Sequence, residues 1–215
     1  MHRLVYDISM PIYEGMPVYK NKPEKQPSFT ITSDFSHGSV RETRVALDVH
    51  CGTHVDAPLH MVENGATIDT IALNELVRPC RVVDLTHVVD GITAQDLESL
   101  SISAGDFLLF KTKNSWDTTF NPEFIYLKED GARFLAERRV AGVGIDALGI
   151  ERSQPGHPTH KALFACGAIV IEGLRLADVP AGQYLMVAAP IALQGLDAAP
   201  ARVLLLAEEA NPVNT

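Results

Sequence analysis

Three cysteines (Cys51, Cys80 and Cys166) are an odd number and form no Cys-x-x-Cys pair, which argues against a disulfide framework and against a cysteine-built zinc site. No apolar run approaches the ~20 residues that span a bilayer. A basic surplus is missing too. Lys and Arg number 18 against 27 Asp and Glu, and the net charge of −9 argues against a nucleic-acid partner and against docking on an anionic membrane. The opening residues, Met1 to Asp7, carry no long apolar core of the kind a signal peptide has. The expectation is a soluble protein of a reducing cytoplasm.

What is present suits one globular domain. The 215 residues are 46% hydrophobic and 21% charged, enough to bury a sizeable core, with no repeat, low-complexity stretch or linker to divide them. Short strands are predicted at Leu4–Ile8, Ser28–Thr32, Arg81–Leu85, Asp106–Lys111, Gly142–Asp146, Ala168–Glu172, Tyr184–Ala189 and Arg202–Ala207. Val40–His50 alternates well and places His50 at a strand end. Helices are predicted at Ile71–Val77 (stopped by Pro79), from the capping-box pattern at Thr93 to Leu100, at Glu129–Arg139, and at His160–Cys166 with Thr159 as N-cap. Trp116 reads as an anchor of its loop in the core. Strands outnumber helices without strict βαβ alternation, which predicts a single α/β domain over 1–215 with a mixed sheet. A proline- and glycine-bearing loop at about 9–27 is placed either to cover a pocket or to contact a partner subunit.

The chemistry concentrates between residues 50 and 60. His50-Cys51-Gly52-Thr53-His54-Val55-Asp56-Ala57-Pro58-Leu59-His60 gathers three of the chain's eight histidines and a carboxylate within eleven residues. Imidazole and carboxylate are ligands for zinc, manganese and iron, and imidazole also moves protons near pH 7. Gly52, Val55 and Pro58 oppose a long helix; a tight, glycine-relieved turn at a strand end would converge the same side chains. His50, His54 and Asp56 supply three ligands and leave a position open for water, the pattern of a catalytic site. Cys51 points away and reads as buried filler. Further ligands are sought at element ends, where His160 and Glu172 stand out, with His157 equally eligible on spacing. Spacing alone therefore predicts one metal and leaves a second open.

The pattern His50-x-Gly52-Thr53-His54-x-Asp56-x-Pro58-x-His60 resembles the signature of the cyclase-like metal-dependent hydrolases, the family of bacterial kynurenine formamidases and isatin hydrolases. The resemblance extends to Asp7-x-Ser9, Gly15-Met16-Pro17, Gly144-Ile145-Asp146, His160, Glu172 and Gly195-Leu196-Asp197-x-x-Pro200-x-Arg202, nearly the whole chain. It implies a swivelling β/β/α fold, assembly as a homodimer or homotetramer, and two metals, usually zinc with manganese as the other candidate. His50, His54 and Asp56 would bind the first; a bridging Asp56 with His160 and Glu172 would bind the second. His60 matches the proton donor and acceptor. Two dications about 4 Å apart acidify a water, whose hydroxide attacks an amide carbonyl.

The implied reaction is C–N cleavage in a small, aromatic, linear or cyclic amide. The formamidases carry a tryptophan in the early loop against the substrate ring; here the segment reads Pro17-Val18-Tyr19-Lys20, and Tyr19 is the nearest candidate for substrate contact. Two other readings stand beside the hydrolase: a non-catalytic metal-dependent small-molecule binder, and a cyclase or lyase running ring closure on the same site.

Overall fold

The structure, a computed structural model, describes residues 2–208; residues 1 and 209–215 of the expected domain lie outside that range. The strands in the first half are β1 (His2–Asp7), β2 (Ser28–Ser33), β3 (Glu42–Ala46), β4 (His54–Asp56), β5 (Val77–Asp84) and β6 (Gly91–Ile92). The second half adds β7 (Phe107–Lys111), β8 (Tyr126–Leu127), β9 (Gly142–Ile145), β10 (Ile169–Glu172), β11 (Gly182–Pro190) and β12 (Ala198–Glu208). The helices are α1 (Leu73–Leu76), α2 (Ala94–Glu98), α3 (Glu129–Glu137) and α4 (Pro158–Ala165).

One mixed sheet runs β1-β12-β11-β5-β7-β9-β10-β4, and a further pairing of β4 with β12 closes it into a barrel-like layer. The chain is thus a single α/β domain, as the order of its elements predicts. β5, β7, β9 and β10 are mutually parallel, and the remaining ladders of this sheet are antiparallel. The Phe-Leu-Leu-Phe run explains the centre. β7 is buried at every position; Phe107 and Leu109 face the barrel interior, and Leu108 and Phe110 face the helical layer. In that layer α3 turns Ala132 and Leu135 inward and leaves an Arg133–Glu129 ion pair in water.

Several sequence expectations need correction. Val40–His50 narrows to β3, every residue of which is exposed, and His50 lies in a turn beyond it. The helix expected at 71–77 is a single turn, α1, and Pro79 sits inside β5. It is tolerated there because the parallel ladder with β7 begins only at Arg81, leaving that edge free. Thr159 does not cap α4: His157 occupies the cap position, and the Thr159 hydroxyl donates to the Leu127 carbonyl inside the fold. Trp116 is 56% exposed, with the Lys111 ammonium 5.7 Å from its ring, so it is no core anchor.

Candidate metal centre

The motif splits into a turn and a strand, and both halves are pinned. Gly52 adopts φ +66°, a conformation that β-carbon sterics disfavour, and reverses the chain between His50 and His54. Thr53, fully buried, accepts from the Met10 amide at 2.7 Å and donates to the Gly173 carbonyl at 2.6 Å. β4 follows, packed between β10 and β12. Side chains alternate across a strand. Val55 therefore points into the barrel core while His54 and Asp56 share the opposite face. The antiparallel register sets His54 directly against Glu172, the last residue of β10. His160 arrives from the first turn of α4.

The result is a buried cluster with short separations. His50 Nδ1 lies 3.0 Å and His54 Nε2 3.4 Å from Asp56 Oδ1; His160 Nε2 lies 3.6 Å from the other oxygen, Oδ2. Glu172 reaches His54 Nε2 with one oxygen at 3.3 Å and His160 Nε2 with the other, also at 3.3 Å. Asp56 thus faces one imidazole pair with one oxygen and His160 with the other. Buried and, among the described residues, without hydrogen-bond partners are His54 Nε2, both Asp56 oxygens and both ring nitrogens of His160. Orphaned polar atoms of this kind are costly unless something satisfies them. Ligand atoms about 2.0–2.1 Å from a tetrahedral ion stand roughly 3.3–3.4 Å apart, the spacing seen here. The donor set fits a divalent metal.

Each imidazole is aimed by its other nitrogen. His50 Nε2 meets Asp197 Oδ2 at 2.9 Å, His54 Nδ1 donates to the Gly52 carbonyl at 3.0 Å, and His160 Nδ1 faces Glu151 Oε2 at 3.4 Å. A carboxylate or carbonyl behind an imidazole is the usual way a ligand's tautomer and ring angle are fixed. Glu151 also accepts from the Thr159 and His160 amides and meets His157 Nδ1 at 2.6 Å. The Ile150 amide donates to Glu172 at 2.6 Å.

The charges follow from this crowding. Burial opposes the charged form of His54, yet the neighbouring Asp56 and Glu172 lift it to about 10. His160 rises well above the ordinary imidazole range against the same burial, through Asp56, Glu151 and Glu172. Burial and the Asp56 charge push Glu172 up, but the His160 and His54 imidazoles 3.3 Å away prevail and hold it at about 2. His60 differs. Burial lowers it, and the charges around it do not recover the loss. Its ring stacks at a tilt on His50 with centroids 4.0 Å apart, and its Nδ1 lies 3.6 Å from Asp197.

All five expected ligands, His50, His54, Asp56, His160 and Glu172, are brought together, with His60 beside them. His60 also lies within reach of a site with His50 and Asp56. Tyr19 joins from the early loop, walling a cleft of about 270 Å³ that opens onto His60 and His160. Its hydroxyl is bonded to Ser153 Oγ at 2.7 Å, and its ring meets Phe120 edge-on at 5.4 Å. Cys51 is buried against Met16, its thiol pushed up to about 11 by burial. Sequence reasoning assigned no role to Asp197 or Glu151. Asp197 was visible only as part of the Gly195-Leu196-Asp197 pattern, and Glu151 carried no signal.

A closed mixed sheet with a buried His, Asp and Glu cluster at its seam has the architecture of the metal-dependent hydrolases. The chain belongs to one such family, the cyclase family, whose model, described as "Putative cyclase", matches residues 6–152. It is 33% identical over 202 residues to a kynurenine formamidase of Salinibacter ruber, covering 93% of this chain and 95% of that one. A predicted metal-dependent hydrolase from Bacillus stearothermophilus superposes with a TM-score of 0.87 at 64% identity, over 94% of this chain and 98% of that chain. Isatin hydrolase A from Labrenzia aggregata shares the fold, with a TM-score of 0.82 at 24% identity, over 96% and 94%.

Proposed function

We propose that this protein is a metal-dependent hydrolase that cleaves the C–N bond of a small, aromatic, linear or cyclic amide. The observation that carries the reading is the set of orphaned, buried ligand atoms on His54, Asp56 and His160, beside a cleft that His50, His60, His160 and Glu172 line. His50, His54 and Asp56 would hold one divalent ion, zinc or manganese, and Asp56, His160 and Glu172 a second. Ions so placed would acidify a water and polarise the amide carbonyl.

The chain's own residues then have separable tasks. Asp197 and the Gly52 carbonyl hold the His50 and His54 imidazoles, and Glu151 holds the His160 backbone amide with its carboxylate 3.4 Å behind the ring. His60, held neutral near pH 7 by burial, can take a proton on one ring nitrogen and return it to the departing nitrogen. Tyr19 offers a ring face to an aromatic substrate, and the Ser153 contact satisfies its hydroxyl. The relatives named for kynurenine formamidase and isatin hydrolase support the amide class.

Elemental analysis by mass spectrometry, paired with assays on formanilide, N-formylkynurenine and isatin, tests this. Two metals per chain and chelator-sensitive turnover of at least one amide are expected. A metal-free protein that still turns an amide over would overturn the reading.

The three cysteines are free, which supports a reducing cytoplasmic setting, and no helix among the described residues is long and apolar enough to cross a membrane. The β2–β3 ribbon pairs Phe29 with Val45 and Ile31 with Thr43, so Phe29, Ile31 and Val45 share one exposed face. A two-stranded ribbon is marginal alone. That face supports a homodimer or homotetramer, and a monomer mass by light scattering would refute it.

A further inference from the structure

The cleft lined by His60 and His160 is lined also by Lys20, Lys22 and Lys25. This is anomalous for the chain as a whole, which carries a net charge of −9. Between Pro17 and Lys25 there are three lysines and one acid, Glu24. Lys25 is committed: its ammonium lies 3.2 Å from Asp48, whose other oxygen accepts from the His50 amide. Among the described residues Lys22 has only Glu24, at 3.8 Å, with the two side chains 49% and 68% exposed, a pairing that water screens heavily. Lys20 has no carboxylate within 4 Å among the described residues and hangs 5.5 Å from the Tyr19 ring.

The acids that line the cleft do not answer these cations. Glu172 is buried, accepts from the Ile150 amide and lies 3.3 Å from both His54 and His160, and Glu151 is buried and bonded to His157 and to the Thr159 and His160 amides. The segment is also held in place rather than loose. Met16 and Val18 are buried beneath it, and Tyr19 is tied across the cleft to Ser153. Lys20 and Asn21 both take left-handed φ (56° and 51°), which residues other than glycine seldom do.

We propose that the substrate carries, besides its scissile amide, a carboxylate that pairs with Lys20 and Lys22 at the mouth of the cleft. This deepens and rests on the amide-hydrolase reading above: the substrate class is an anionic aryl amide. The two ammoniums meet the carboxylate end while the scissile bond reaches the His and Asp cluster. Charges at a cleft mouth also raise the local concentration of an oppositely charged substrate, an effect that falls with salt.

The test compares formanilide with 4-formamidobenzoate, the same scissile bond with a ring carboxylate added, on metal-loaded wild-type protein and on K20Q/K22Q. The expected result is a kcat/KM ratio that favours the carboxylate by about fivefold to tenfold, carried by KM. That ratio should shrink with rising salt and collapse toward one in the double variant. A ratio unchanged in K20Q/K22Q would overturn the inference, since the carboxylate would then be held elsewhere, for example on the metals. Hydrolysis of neither amide would count against the amide-hydrolase reading, and the lysine pairing is then read from an NMR titration with benzoate. Benzoate binding weakened about fivefold in K20Q/K22Q would uphold it, and equal binding by both proteins would overturn it.

Discussion

His60 and Asp56 stand a single turn apart and ask for opposite kinds of failure. His60 follows Pro58 in a short 3-10 turn, and burial keeps its ring neutral near pH 7, where it can move protons in either direction. Substitution of His60 by Ala should cost turnover about 10²–10⁴-fold while leaving metal content at the wild-type level. Loss of metal in that variant, measured by elemental analysis, would move His60 into the ligand set with His50 and Asp56. Asp56 is 1% exposed and faces histidines with both oxygens. Asp56→Asn removes the charge that a pair of cations would share, so metal content and activity should fall together, activity to background. A variant that keeps full activity would refute the bridging role.

At the scale of elements, the centre depends on a seam where β4 lies between β10 and β12 and the Gly52 turn touches Gly173. A β-carbon on Gly173 would stand 2.3 Å from the Gly52 carbonyl oxygen, and its φ of +71° is itself unfavourable for other residues. Gly173→Ala should therefore cost about 1–3 kcal/mol of stability. It should also lower metal occupancy, because the turn carries His50 on one side and His54 on the other. Denaturant unfolding with metal analysis checks both, and a variant matching wild type in each would sink the argument. Which parts of this seam a sequence can show follows from distance along the chain. His50, His54 and Asp56 sit within seven residues, and their spacing with Gly52 is a local signal. His160 and Glu172 are element-end candidates on a par with His157 until the family resemblance selects them, since nothing in their spacing to residue 56 encodes the β4–β10 register that seats them. Asp197 meets His50 because Ala198 pairs with Asp56, and no local pattern records that pairing. Pro79 and Trp116 misled for the related reason that ladder edges and exposure are set by strands elsewhere.

For the molecule as a whole, the closure of the barrel and the charge of the centre are one problem. β4 completes the closed sheet, and it does so by burying Asp56 against Glu172, two carboxylates that repel unless something positive lies between them. In the metal-free protein that role falls to protons on His54 and His160. Burial opposes the charge on His54, but the two carboxylates raise it from 6.5 to about 10. A group raised in the folded state stabilises fully below its unfolded value and loses that contribution as pH climbs through the folded one. The chelated protein should therefore hold its Tm up to about pH 6.5 and lose it steadily toward pH 10, where the carboxylates are left facing each other. Metals bound at the same atoms replace those protons, so the loaded protein should keep its Tm over that window and stand above the chelated form by a margin that widens with pH. Metal uptake near pH 7 should correspondingly release protons, measurable by calorimetry in buffers of different ionisation enthalpy. A chelated protein whose Tm rises between pH 6.5 and 10, or uptake without proton release, would show that the seam is balanced by something other than these histidines.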